Sequence, residues 1–440
     1  MKAKRWVALA LMCSVCTTTL VADAAPRTGY ILIDASSGQR LAESAADKAF
    51  MTASTMKLVT ALAALDTLGP AHQFETSLSM TRKPDNDVLE GDLILHGQGD
   101  VELDLDDLMH MVLALRQAGI TKVSGRFLIS DAAFLRAENI NLEQPLEAPY
   151  NAGIGPLTLA FGRAAMRPDS EGGYFSNPAL IERGPAWKII SGRDEKRSHA
   201  IPVQDVGMHA GQSLRRMASE LGIDLPVPGR GSAQGPVSRL ITIKSKPLAE
   251  MIEGMMVYSN NQLAETIGLA TATRLNLEPK TLADSVAGVW AHLVTQLPET
   301  DWQGFEITNH SGLDPNARAT PAQLAVLLQY GLDRHALPQM LPANAWSGSL
   351  ARRLVEVGHL QRIWAKTGSI DFASALAGYL LPNDGGLWLF AIITDDPEKR
   401  RAYDRMTEPS EAIRKEARQW ERKIKTQHDI LLRQWISGKP

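Results

Sequence analysis

The spacing of apolar residues changes twice within the first seventy positions. The run WVALALMCSV is continuously apolar, follows Lys2, Lys4 and Arg5, and precedes Ala22-Asp23-Ala24, the layout of a cleaved export signal. It is too short to span a bilayer, and no later run reaches about 18 uninterrupted apolar residues. GYILIDASSGQRLAES then alternates apolar and polar positions on both sides of Ser36-Ser37-Gly38, which predicts two strands and a turn. From residue 52 the period lengthens: Met56, Val59, Leu62, Ala63 and Leu65 cover much of a helix circumference before Gly69-Pro70. That pattern predicts a helix buried on several sides and stopped by the glycine and proline.

Residues 74–239 have a different texture, with the short strand-like runs DLILHG, GRFLISD and WKIISG and a helix near LDDLMHMVLALRQAG. Helical periodicity returns in PLAEMIEGMMVYSNNQLAETIGLATATRLN and TPAQLAVLLQYGLDRH. RIWAKTGSI, FASALAGYLL and GLWLFAIIT follow as strands, the last two joined by Asn383-Asp384-Gly385-Gly386, a hairpin turn. Residues 398–425 alternate charges with apolar positions and read as a solvated amphipathic helix, packed on the sheet or serving a protein partner. Strands at both ends enclosing helices predict an α/β sandwich of antiparallel sheet and helices with a β-rich inserted domain. The expected division is a signal peptide at 1–24, a discontinuous domain at 25–75 and 240–440, and an insert at 76–239.

Composition narrows the function. The 440 residues are 44% apolar and 22% charged, as in soluble globular proteins. Both cysteines, Cys13 and Cys16, lie in the expected signal, so the mature chain has none, which suits an oxidising compartment. Neither follows the small residue of a lipoprotein site. The chain is slightly acidic overall, with no basic stripe, which argues against nucleic acid. The ten histidines show no metal-ligand spacing, so neither a metal nor another cofactor is expected. HGQGD lacks the lysine and following helix of a phosphate loop and reads as a turn. Trp290, Trp302 and Trp388 read as core.

Three motifs carry candidate chemistry. Ser54-Thr55-Met56-Lys57 puts a hydroxyl and an amine on one helix face in a first turn. Serine needs a base within reach, and lysine serves only when burial or a neighbouring cation lowers its pKa. Alone, this spacing is more often a cap beside a solvated charge. Ser259-Asn260-Asn261 adds a hydroxyl and a carboxamide where two helical patterns meet. Lys366-Thr367-Gly368-Ser369, on a predicted strand, adds positive charge, hydroxyls that can hold a carboxylate, and a glycine that lets a backbone approach. The trio in this order is the motif set of penicillin-binding proteins and β-lactamases.

With these residues in place, the chain resembles the class C low-molecular-mass penicillin-binding proteins. This is the D-alanyl-D-alanine carboxypeptidase/endopeptidase group typified by penicillin-binding protein 4. The likeness runs over about residues 29–395 and includes GDLILHGQGDVEL, HSGLDPNARATPAQLAVLL and GSLARRL, together with the long insert between the first two motifs. The resemblance implies a penicilloyl-serine-transferase (β-lactamase/DD-peptidase-like) fold. It implies that Ser54 is acylated with Lys57 as base, that Ser259 relays a proton, and that Asn261 orients the substrate amide or Lys57. Lys366 would favour neutral Lys57 and attract the terminal carboxylate, which Thr367 and Ser369 would bind beside Gly368. The N–H groups of Ser54 and Ser369 would form the oxyanion hole. Arg353 is expected either at the cleft or buttressing the third motif, and His310 at the surface or behind the site. Glu143 and Glu147 are the acids available for a diaminopimelate side chain.

The implied function is a periplasmic serine DD-peptidase acting on peptidoglycan stem peptides and cross-links through an acyl-enzyme, with β-lactam antibiotics as acylating inhibitors. No transmembrane anchor is expected, and a homo-oligomer or a cell-wall enzyme partner stays open. Two alternatives are a β-lactamase or esterase on the same fold, and a catalytically weak peptidoglycan-binding scaffold. No Glu-x-x-Leu-Asn follows the second motif, which counts against a class A lactamase.

Overall fold

The computed structural model describes residues 25–170, 173–180, 185–192, 197–356, 358–406 and 409–440. The expected export signal lies outside these residues. Among them, no helix is long and apolar enough to cross a membrane.

The central sheet has five antiparallel strands in the order Ile363–Ile370, Ala373–Leu380, Trp388–Asp395, Arg27–Asp34, Arg40–Ser44. The first and last strands of the unit therefore pair, Tyr30 opposite Ile392. Because side chains alternate between faces, the buried strands supply two separate cores. Ala375, Ala377, Tyr379, Ala391 and Ile393 face a cluster of helices, while Leu376, Leu380, Phe390 and Ile392 face Leu432 and Trp435 of the C-terminal helix. The helix Lys57–Leu68 lies inside the first cluster, with every residue from Lys57 to Leu65 buried. Its all-round apolar character is what such a position requires.

The helix Glu411–Ile436 buries Ala417, Trp420, Ile424, His428 and Leu432, a three-to-four-residue stripe on an otherwise charged helix. Trp420 meets Phe372 edge-on at 5.9 Å. Arg353 Nε donates to Asp429 Oδ1 at 2.9 Å, and both side chains are largely buried. Arg353 thus buttresses the segment before the third motif and does not reach the cleft. Replacing Arg353 with alanine strands Asp429 without its cation, and should cost about 3 kcal/mol in chemical denaturation while leaving the rate of active-site acylation within about twofold.

Residues 75–244 form two further layers. A five-stranded sheet, ordered Gly229–Arg230, Phe127–Ser130, Leu93–Gly97, Glu75–Met80, Ser238–Lys244, packs on the helices Leu105–Gln117 and Val206–Glu220. The second helix has no clear apolar signal because its buried stripe is Val206, His209, Ala210, Ser213 and Leu214. A separate three-stranded sheet, Tyr174–Asn177, Arg163–Pro168 and His199–Pro202, packs on the helix Pro185–Ser191. WKIISG, read as a strand, is thus largely helical. Trp187 and Ile190 are buried while Lys188 and Ile189 are exposed, a spacing of three that a six-residue run cannot distinguish from a strand.

Candidate active site

Ser54 sits in the 3-10 turn Ala53–Met56 that leads directly into the helix beginning at Lys57. Ala53 has φ +47°, and two glycines let neighbouring backbone close on this turn. A Cβ at Gly312 would lie 2.2 Å from the Ala53 carbonyl oxygen, and one at Gly368 would lie 2.3 Å from that of Thr52. The space beside Gly368 is therefore filled by the serine turn itself, a closer constraint than the substrate approach expected from the sequence.

Lys57 is fully buried. Its Nζ lies 2.9 Å from Ser54 Oγ, 2.8 Å from Asn261 Oδ1 and 2.7 Å from the Ser311 carbonyl oxygen. Burial lowers its pKa from 10.5 to about 7, against an opposing pull from Glu265. A neutral amine has two N–H donors and one lone pair. The two carbonyl oxygens take the donors, which leaves the lone pair for the Ser54 hydroxyl.

The second motif has a local explanation. The helix Leu248–Tyr258 ends at Ser259 in a left-handed conformation, and Asn260 caps the next helix, Asn261–Arg274, by accepting from Leu263 N–H at 3.2 Å. This sharp joint aims Ser259 and Asn261 from different helix ends. Lys366 Nζ donates to Ser259 Oγ at 2.9 Å and to the Thr367 carbonyl at 2.6 Å. Lys366 is also fully buried, and its pKa falls well below the usual lysine value, first through desolvation and then through repulsion from Lys57. Thr367 Oγ1 donates to Ser349 Oγ at 2.8 Å. The Ser369 hydroxyl bonds Glu421 of the C-terminal helix, which itself pairs with Lys425 at 2.7 Å. The structure thus gathers Ser54, Lys57 and Asn261 directly, pairs Ser259 with Lys366, and sets Gly368 against the turn. Thr367 and Ser369 are engaged at the rim.

Three contributors were not legible as site residues. Glu265, one turn after Asn261 and fully buried, accepts from the Ser311 N–H at 2.9 Å and the His310 N–H at 3.2 Å. An acid at i+4 from the motif asparagine, flanked by Leu263, Ala264 and Ile267, is the sequence signal for it. Ser311 supplies its carbonyl to Lys57. Tyr150, from the insert, accepts from Asn261 Nδ2 through its carbonyl at 3.1 Å. His310 is fully buried, the second of its two expected placements. Its ring covers Gly268, where a Cβ would lie 2.2 Å away, and its Nε2 lies 2.9 Å from Ser285 Oγ. Of the two insert acids, Glu143 is exposed, whereas Glu147 acts on Tyr150, whose hydroxyl pKa is raised by burial and then by Asp371 and Glu147.

Fold and site together have the form of a serine-type peptidase. The chain belongs to the D-Ala-D-Ala carboxypeptidase 3 (S13) family, which matches residues 20–181 and 188–414. A carboxypeptidase of Mycobacterium tuberculosis is 28% identical over 396 residues, 85% of this chain and 77% of that protein. The D-alanyl-D-alanine carboxypeptidase of Actinomadura is 25% identical over 430 residues, 84% of this chain and 77% of that protein. Among solved structures, penicillin binding protein 4 from Haemophilus influenzae superposes with a TM-score of 0.73 at 20% identity, over 84% of this chain and 90% of that one.

Proposed function

We propose that the protein is an exported, periplasmic serine DD-peptidase that cleaves D-Ala-D-Ala termini and cross-links of peptidoglycan, and that penicillins acylate it at Ser54. The observation that carries the reading is Lys57: a buried amine with a pKa of about 7, its donors occupied, 2.9 Å from the Ser54 hydroxyl. Lys57 takes the serine proton as Ser54 attacks the carbonyl carbon of the penultimate D-alanine. The C–N bond breaks, and the leaving amine takes a proton passed from Lys57 through Ser259. Water then hydrolyses the ester by the reverse proton route. Asn261 fixes Lys57, and Lys366 disfavours a second positive charge beside it. The backbone N–H groups of Ser54 and Ser369 receive the developing oxyanion, and such donors typically contribute several kcal/mol. Lys366 and Thr367 receive the terminal carboxylate. Residues 25–75 and 240–440 carry this chemistry, and residues 76–239 contribute the Tyr150 contact to Asn261.

The test is incubation of the mature protein with a labelled penicillin, with intact mass and peptide mapping. A lasting adduct on the peptide containing Ser54, and D-alanine release from a pentapeptide, are the expected results. Rapid penicillin hydrolysis without an adduct would favour a lactamase. No reaction in folded protein would favour a wall-binding role.

A further inference from the structure

We propose that the open face of the three-stranded sheet binds the carboxylates of a second peptidoglycan stem peptide, apart from the stem held at Ser54; this rests on the peptidase reading. In the central strand, Ala164 and Met166 are buried, and Met166 packs with Trp187 and Ile190 of the helix Pro185–Ser191 and with Ile201. The alternate residues Arg163, Ala165 and Arg167 line a cavity of about 620 Å³ on the opposite face, with Phe161, Asn177 and Ala200. No acid is present among the described residues of its lining.

Among the described residues, neither arginine has a carboxylate partner. Arg163 is partly buried, and its guanidinium lies 5.5 Å above the Phe161 ring. Burial alone lowers its pKa, and no acid opposes that effect. Taking an unpaired cation out of water is costly unless an anion meets it, so the partly buried Arg163, four residues from an exposed Arg167 that likewise has no carboxylate partner, suits the cavity to an anionic occupant. The spacing selects its kind. Arg163 and Arg167 are four residues apart on one strand, their Cα atoms about 13 Å apart at the usual rise, an interval that suits two separate anionic groups better than one phosphate. An extended peptide with carboxylates at intervals spans it, and a peptidoglycan stem has that form. The sheet is also anchored to the site. A Cβ at Gly162 would lie 2.8 Å from Gln262 Nε2, and Gln262 follows Asn261 in sequence.

The experiment uses full-length mature protein already acylated by penicillin, so that the cleft is closed. A labelled stem tetrapeptide, the same peptide with its carboxylates amidated, and inorganic phosphate are each titrated into the wild type and the Arg163→Gln/Arg167→Gln double variant. The acidic peptide should bind the wild type, more weakly as salt rises, and lose at least tenfold in affinity on amidation or in the double variant. Cross-linked dimer should show a KM raised about tenfold in that variant, with kcat and penicillin acylation unchanged. Equal binding by wild type and variant, no binding to either, or phosphate binding as tightly as the peptide would each overturn the proposal. Loss of an unpaired cation should leave Tm unchanged or raise it. A lower Tm with unchanged peptide binding would make the arginines structural and reject the site. Arg167→Gln alone, at an exposed position, repeats the titration where folding is not at issue. Failure of penicillin to acylate Ser54 would count against the peptidase reading, and titration of the unmodified protein would still decide the groove.

Discussion

Ser54→Ala should abolish the penicillin adduct and reduce D-alanine release by about 10⁴- to 10⁶-fold, with no change in the circular dichroism spectrum. Lys57→Met should reduce acylation by about 10²- to 10⁴-fold, and the double variant should be no slower than Ser54→Ala alone, because the two act as one unit. Unchanged hydrolysis by Ser54→Ala would remove this serine from the mechanism. The pH dependence gives a second reading of the pair. With the Lys57 pKa at about 7, the acylation rate should rise about tenfold per unit below that pH and level off above it. Stability follows from the same shift. The ordinary value is 10.5 and the folded one about 7, so between these pH values the unfolded chain holds a proton that the folded chain lacks. The contribution of Lys57 to stability therefore rises with pH across that window, and Lys57→Met should flatten the slope in urea denaturation at pH 7 and pH 9.

Local signals made much of this arrangement readable. The strand pair around Ser36-Ser37-Gly38, the helix stopped by Gly69-Pro70 and the three strands after residue 360 follow from period and turn chemistry within short windows. The three motifs were readable because each supplies a chemically distinctive set of side chains. What was hidden depends on partners remote in sequence. Glu265 looks like one more polar residue on a helix until the Ser311 and His310 N–H groups, more than forty positions later, are seen to bond it. The choice between the two expected placements of His310 could not be made from the sequence, because its ring fits behind the site only where residue 268 has no side chain. The division of the strands between residues 75 and 244 into separate sheets was likewise invisible, since strands as short as Gly229–Arg230 carry no periodicity. The C-terminal helix was legible as amphipathic, but its hold on Ser369 and Arg353 was not, because the Glu421 and Asp429 that make those contacts resemble the solvated charges around them.

Glu265 is also where a conservative substitution should separate electrostatics from architecture. Its carboxylate holds the Ser311 backbone N–H, and the carbonyl of Ser311 receives an N–H from Lys57. It therefore positions Lys57 through the Ser311 backbone, and it also raises the Lys57 pKa directly. Burial raises the pKa of Glu265 itself, while the bonds from Ser311 and His310 and the nearby Lys57 pull it down. Glu265→Ala leaves two buried N–H groups without an acceptor and should cost about 2–4 kcal/mol, measured by urea denaturation. Glu265→Gln keeps one acceptor oxygen but loses the charge, so Lys57 should deprotonate more readily. The acid limb of penicillin acylation should then move to lower pH by about one unit, while the plateau rate falls about tenfold because the amide N–H₂ opposes one of the two backbone donors. A purely structural role would lower the plateau and leave the limb in place. Movement of the limb to higher pH would contradict the attraction between Glu265 and Lys57, and with it the account of how this buried lysine is kept near neutrality.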